Sequence, residues 1–200
     1  MIHEHQQFSI ALPMTNPSAM AIPSVFSKFQ ENEFSIAWAR PRSAEYPIPV
    51  TLLHPIFRQF LDNCKNYQLN SADNNLILEL LLIIGKMSNF YRNEKERVSE
   101  LGDILTEYGI PLITHMITTS GHDFHTDGAV LHKGHGFAFL EVKGEVGSKG
   151  AEPYAQVVLY YTHSTKGKSQ KFLNFNFPSF LITVFGDIFF LPSSCYVMIY

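Results

Sequence analysis

Asp127-Gly-Ala-Val-Leu-His132, Lys133-Gly-His-Gly136 and Phe137-Ala-Phe-Leu-Glu-Val-Lys143 read consecutively as strand, turn and strand. Glu141 and Lys143 lie two apart in the second strand, so their side chains leave the same face. Asp127 opens the first strand, and a hairpin closed at the glycine-containing turn brings it beside Glu141. Two carboxylates placed this way suit one hard cation, and the adjacent ammonium suits an anionic substrate or an attacking water. The hairpin therefore carries both the fold and the chemistry.

Working outward, Gly144, Gly147 and Gly150 give the chain a tight exit before a glycine-free segment, Glu152 to Thr162. Ala155, Val158, Leu159 and Thr162 fall on one helical face there, while Gln156 and Tyr160, four apart, share a side. Further strands are predicted over Leu112 to Thr119, Phe180 to Phe185 and Ile188 to Leu191. Lys166-Gly-Lys-Ser-Gln-Lys171 reads as a polar insertion. Its lysines, with Lys149, either line a phosphate-facing edge or are ordinary solvated charge.

Upstream, Pro55 to Cys64 predicts a short surface helix, and Asn93 to Tyr108 a more polar one with Val98, Leu101, Ile104 and Leu105 as its stripe. Between them Ser71 to Tyr91 contains Leu76-Ile-Leu-Glu-Leu-Leu-Leu-Ile-Ile84, a run apolar enough to predict a helix buried on most sides. Glu79 interrupts that run, and a buried carboxylate costs several kcal/mol unless paired or facing a polar cavity. It is either a site carboxylate or a surface residue that periodicity misplaces. Residues 1–50 carry Pro13, Pro17, Pro23, Pro41, Pro47 and Pro49, which predicts an extended or irregular arm outside the core. The order of elements describes one α/β domain over 51–200.

Composition limits the alternatives. Of the 200 residues 46% are hydrophobic and 16% charged, which argues against global disorder. Fifteen basic against 18 acidic residues give a net charge of -3, excluding a protein that coats nucleic acid by charge alone. Cys64 and Cys195 form no disulfide framework, and a reducing, intracellular location is expected. Pro13, Asn16 and Pro17 break up a secretory signal. Neither Leu76 to Ile84 nor Phe180 to Tyr200 makes a spanning helix, so no membrane partner is expected.

Asp127, Glu141-x-Lys143 and Gln156-x-x-x-Tyr160 resemble the PD-(D/E)XK nuclease superfamily. The resemblance implies a restriction-endonuclease-like core, a mixed central sheet of about four or five strands flanked by helices. It also implies Mg²⁺ as cofactor, with Mn²⁺ as a substitute. Carried over by residue, it gives Asp127 and Glu141 metal binding, Lys143 catalytic support, and Gln156 and Tyr160 a positioning role. Glu79 matches loosely the acidic metal-site residue that many members place on the first core helix. Thr126 stands where the motif's name has proline.

Phe139 to Gly147, with Gly150 to Gln156 and Tyr160-Tyr161, is similar to nuclease-like domains of fungal and oomycete proteins, including Crinkler-type effectors and kinase-associated proteins. That likeness spans about residues 120–190. Such domains continue beyond the position of Leu191, so a C-terminally truncated domain is one expectation. DNA is the implied substrate, and nuclear action or delivery into a host cell is implied with it. The alternative is a catalytically inactive nuclease-fold effector or interaction module, partnered through the proline-rich arm. Apolar strand edges near the C-terminus also allow a homodimer.

Other patterns compete less well. His122-x-x-His125 with Asp127 offers a transition-metal reading but lacks the His-Glu-x-x-His order of a zinc hydrolase. Gly144-Glu-Val-Gly147 and Lys166-Gly-Lys-Ser169 are incomplete as phosphate loops. Phe172, Phe175, Phe177, Phe180 and Phe185 are expected to pack the sheet rather than stack on bases.

Overall fold

The computed structural model describes residues 15–31, 55–114, 116–119, 121–144, 150–169, 171–172 and 177–185. In chain order these residues form α1 (Pro17–Met20), α2 (Pro23–Gln30), α3 (Pro55–Asn66), α4 (Ser71–Met87), α5 (Glu94–Glu107), β1 (Met116–Thr119), β2 (His122–His125), β3 (Gly128–His132), β4 (His135–Lys143), α6 (Pro153–Ser169) and β5 (Phe180–Phe185). The architecture is mixed α/β, with a small sheet core surrounded by helices. The five strands divide into an antiparallel pair β1-β2 and a three-stranded sheet β3-β4-β5.

The quoted hairpin forms as predicted. β3 and β4 are antiparallel, with Gly128 opposite Leu140 and His132 opposite His135. The loop is only Lys133-Gly134, both with positive φ (49° and 77°), the backbone of a type I′ turn that matches the strand twist. His135 and Gly136 belong to β4 rather than to the turn. β5 then lies parallel to β4, from Ala138 opposite Phe180 to Lys143 opposite Phe185. A parallel return needs a crossover, and α6 supplies it.

β4 is consequently the central strand, and its alternating side chains serve two cores. Phe139 packs with Leu181, with Val157, Val158 and Tyr161 of α6, and with Ile117 and Phe124 of the β1-β2 pair. On the opposite face Leu140, Val142 and Val184 pack against Ile83 and Met87 of α4 and Leu101 and Ile104 of α5. Each fully buried side chain of this size contributes roughly 1.5–3 kcal/mol. Phe180 meets Phe57, Phe60 and Phe137 edge-on, which agrees with a packing role for the aromatic series.

The helix ends have local causes. Asn93 caps α5, its side chain accepting from the Glu96 amide at 3.0 Å, while Glu96 Oε2 accepts from the Arg92 amide at 3.0 Å. Gly109, at φ 73°, ends the same helix.

Four expectations change. Within the predicted extended or irregular arm, the described residues 15–31 form two helices: Pro17 and Pro23 each start one, and Met20, Ala21 and Phe29 join the core around α6. The Glu152 amide donates to the Ala21 carbonyl at 2.8 Å, tying that segment to the start of α6. α4 is not buried on most sides, since Leu76, Ile77, Leu78, Leu81 and Leu82 are exposed and the helix ends at Met87. Lys166 to Ser169 continue α6 instead of forming an insertion. Finally, Leu112 to Thr119 is a strand only from Met116, and the unpredicted β2 pairs with it. The predicted strand Ile188 to Leu191, Cys195, Lys149 and the prolines at 13, 41, 47 and 49 lie outside the described residues.

Candidate active site

The site sits where β3 begins and β4 ends. Asp127 immediately precedes Gly128 and Glu141 immediately follows Leu140, the residue paired with it, so the hairpin register sets the two acids across from one another. A Cβ on Gly128 would come within 2.6 Å of the Leu112 side chain, so any larger residue there displaces Leu112. Asp127 Oδ2 accepts from the Val142 amide at 2.8 Å, which fixes the carboxylate against β4 and leaves its other oxygen as a cation donor.

Glu141 is 1% exposed. Its Oε1 lies 2.8 Å from Lys143 Nζ in an ion pair, and Oε2 has no hydrogen-bond partner among the described residues. Burial, reinforced by the Asp127 charge, pushes its carboxyl up to about 8. Burial also raises the Asp127 carboxyl, opposed by the Val142 amide and the Lys143 charge. For Lys143 burial opposes the charged form, but the hydrogen bond and charge of Glu141, with Glu94 and Asp127, hold the ammonium above its ordinary value.

α6 adds the polar pair. Gln156 Nε2 donates to the Tyr160 hydroxyl at 3.0 Å, both residues being buried, and Gln156 Oε1 has no partner among the described residues. Burial and then the charges of Glu141 and Asp127 raise the Tyr160 phenol, which places it in the field of both acids. Thus Asp127, Glu141, Lys143, Gln156 and Tyr160 come together from two strands and one helix.

Glu79 does not join them. It is exposed on α4 and accepts from the Tyr108 hydroxyl at 3.0 Å. The acid that does reach the site from a helix is Glu94, in the first turn of α5, 3.4 Å from Lys143 Nζ. Arg97, one turn later, donates from Nη1 to the Lys143 carbonyl at 3.4 Å and lies 5.1 Å from the Tyr91 ring. Sequence reading missed Glu94 because its only signal is a capped, acidic helix start, which many solvated helices share.

The donor set can be tested against a metal. No group of three or more His, Cys, Asp or Glu side chains that could hold an ion occurs among the described residues. The His122, His125 and Asp127 reading therefore does not assemble; both histidines are exposed on β2, while Asp127 is turned to the Val142 amide. Two carboxylates, one carrying a buried oxygen without a partner, suit Mg²⁺, which keeps several waters and takes one or two protein carboxylates plus substrate phosphate. Lys168 is not beside Lys143. Its Nζ donates to the Gly134 carbonyl at 2.6 Å, at the turn end of β4, about eight residues or ~26 Å of strand away.

The chain matches no family model, no curated protein and no solved structure. No helix among the described residues is long and apolar enough to cross a membrane.

Proposed function

We propose that this chain is a metal-dependent nuclease with a restriction-endonuclease-like core, hydrolysing phosphodiester bonds of nucleic acid, with DNA as the first substrate. The observation that carries this reading is the junction of Asp127 and Glu141 across the β3-β4 hairpin, with Lys143 2.8 Å from Glu141. Asp127 and Glu141 would hold Mg²⁺ or Mn²⁺, which when bound supplies charge stabilisation to a phosphoryl centre and acidifies water. Lys143 keeps its proton and offers positive charge to phosphate oxygens or orients the attacking water. Burial and the charges of Glu141 and Asp127 hold the Tyr160 phenol in its protonated form, while Gln156 Nε2 donates to its oxygen and leaves the hydroxyl proton available as a donor. Glu94 shares the Lys143 ammonium and so limits where it points.

One observation favours a second reading, the catalytically inactive nuclease-fold module. Glu141 is almost wholly buried and Lys143 lies between two carboxylates, so substrate must displace existing contacts to reach them. Cleavage of labelled single- and double-stranded DNA and RNA, with Mg²⁺, Mn²⁺ or EDTA, separates the two. The nuclease reading expects metal-dependent cutting that Glu141→Ala and Lys143→Ala abolish. A folded chain that cuts none of the four substrates with either metal overturns it in favour of the inactive module.

A further inference from the structure

Thr183 lies in β5, paired in parallel register with Glu141. Paired residues on neighbouring strands project from the same face, about 4.8 Å apart. Flanking pairs show the alternation: Phe139 and Leu181 share the core on the α6 side, while Val142 and Val184 share the opposite one. Thr183 therefore stands beside Glu141 on the side of α6 that carries Gln156 and Tyr160. It is 1% exposed, and its Oγ1 has no hydrogen-bond partner among the described residues. A buried hydroxyl left unpaired costs about 1–3 kcal/mol, which evolution of a packing position would avoid by using valine. Glu141 Oε2 and Gln156 Oε1 are buried and unpaired in the same place.

These are complementary shortages. A carboxylate that ligates a cation still needs donors for its remaining lone pairs, and such supporting contacts tune metal affinity by about 10–100-fold. We infer that Thr183 is a positioning residue of the metal site: its hydroxyl donates to the Glu141 carboxylate when a divalent cation is bound and fixes the plane in which that carboxylate ligates. The inference rests on the metal-site reading given above. Asp127 has its own backbone donor in Val142, so Thr183 gives Glu141 the counterpart.

Titration of the full chain with Mn²⁺ tests this, read by calorimetry and by the loss of free Mn²⁺ signal in electron paramagnetic resonance. Thr183→Val keeps shape and β-branching while removing only the hydroxyl, and is expected to weaken Mn²⁺ binding at least about tenfold. Its metal-free melting temperature should equal or exceed that of the parent, because the unpaired hydroxyl is gone. Thr183→Ser should restore most of the affinity. Parental Mn²⁺ affinity in Thr183→Val overturns the inference alone. Weaker binding accompanied by an equal loss of metal-free stability, unrescued by serine, also overturns it, since that is the signature of packing. If the parent chain itself binds no Mn²⁺, the metal-site reading fails and Thr183 falls with it.

Discussion

Helices α4 and α6 are each 17 residues long, and their fates are opposite to what their composition suggests. α4 contains the most apolar run of the described chain yet exposes Leu76, Ile77, Leu78, Leu81 and Leu82, burying Ile83 and Met87 near its C-terminal end. α6 includes Gln156, Tyr160, Tyr161, Thr162 and His163, yet every residue from Ala155 to His163 is buried. The difference lies in connectivity. A helix joining two parallel neighbouring strands is obliged to cross the sheet face, whereas among the described residues α4 meets the sheet core through Ile83 and Met87 near its C-terminal end. Their glutamate partners follow suit: Glu79 on α4 bonds Tyr108 in the open, and Glu141 opposite α6 is sealed in.

The sharpest way to break this contrast is through the two acids. Glu141→Gln is expected to lower metal-dependent cleavage by about 10³-fold or more, and Glu79→Gln to leave it unchanged, measured as single-turnover rates. Equal losses would mean that α4 closes on the site in the active form. Next in size is packing. Tyr161 is 1% exposed and its hydroxyl donates to the Phe177 carbonyl at 2.8 Å, so Tyr161→Ala should cost about 3–5 kcal/mol of unfolding free energy. Leu82→Ala, at a residue 68% exposed, should stay within about 0.5 kcal/mol in the same urea titration.

The pH response of α6 comes third. His163 packs 4.7 Å from the Phe124 ring, neither ring nitrogen has a partner among the described residues, and burial, with the charges of Lys166 and His122, holds its imidazole down at about 4. The unfolded chain takes up the proton first, so the stability is complete above pH 6.5 and declines as pH falls from there towards 4. The limit is about 3 kcal/mol. Melting curves between pH 8 and 4 should show His163→Leu losing less over that interval than the parent. Smallest of all, Tyr108→Phe should leave the melting temperature unchanged, because the bond it removes from Glu79 is exposed.

How much of this was legible in sequence depends on whether the signal was local. The Lys133-Gly134 turn, the alternation through Val142 and the four-residue step from Gln156 to Tyr160 are local, and they account for the register of Asp127 with Glu141 and the contact of Gln156 with Tyr160. Glu79 was different, because a run apolar on all sides has no face that periodicity can identify, so its position towards or away from the sheet was undetermined. β2 was hidden because His122-Asp-Phe-His125 offers a single core residue, Phe124, to mark a strand. The helices at 17–30 were hidden by proline, read as a breaker although it favours the first helical turn. Glu94 and Thr183 needed tertiary register, one from the packing of α5 on β4 and one from a crossover of some forty residues.

That crossover has a consequence in time. The Asp127 to Val142 contact spans 15 residues and closes with a two-residue turn, a loop of the kind that forms in microseconds, whereas β5 must wait for α6 to be laid across the sheet. The two acids would thus meet early in folding, before the wall that buries Glu141 is complete. Their mutual repulsion is met while water still reaches them, and desolvation follows only when Thr183 and its strand arrive to finish the sheet.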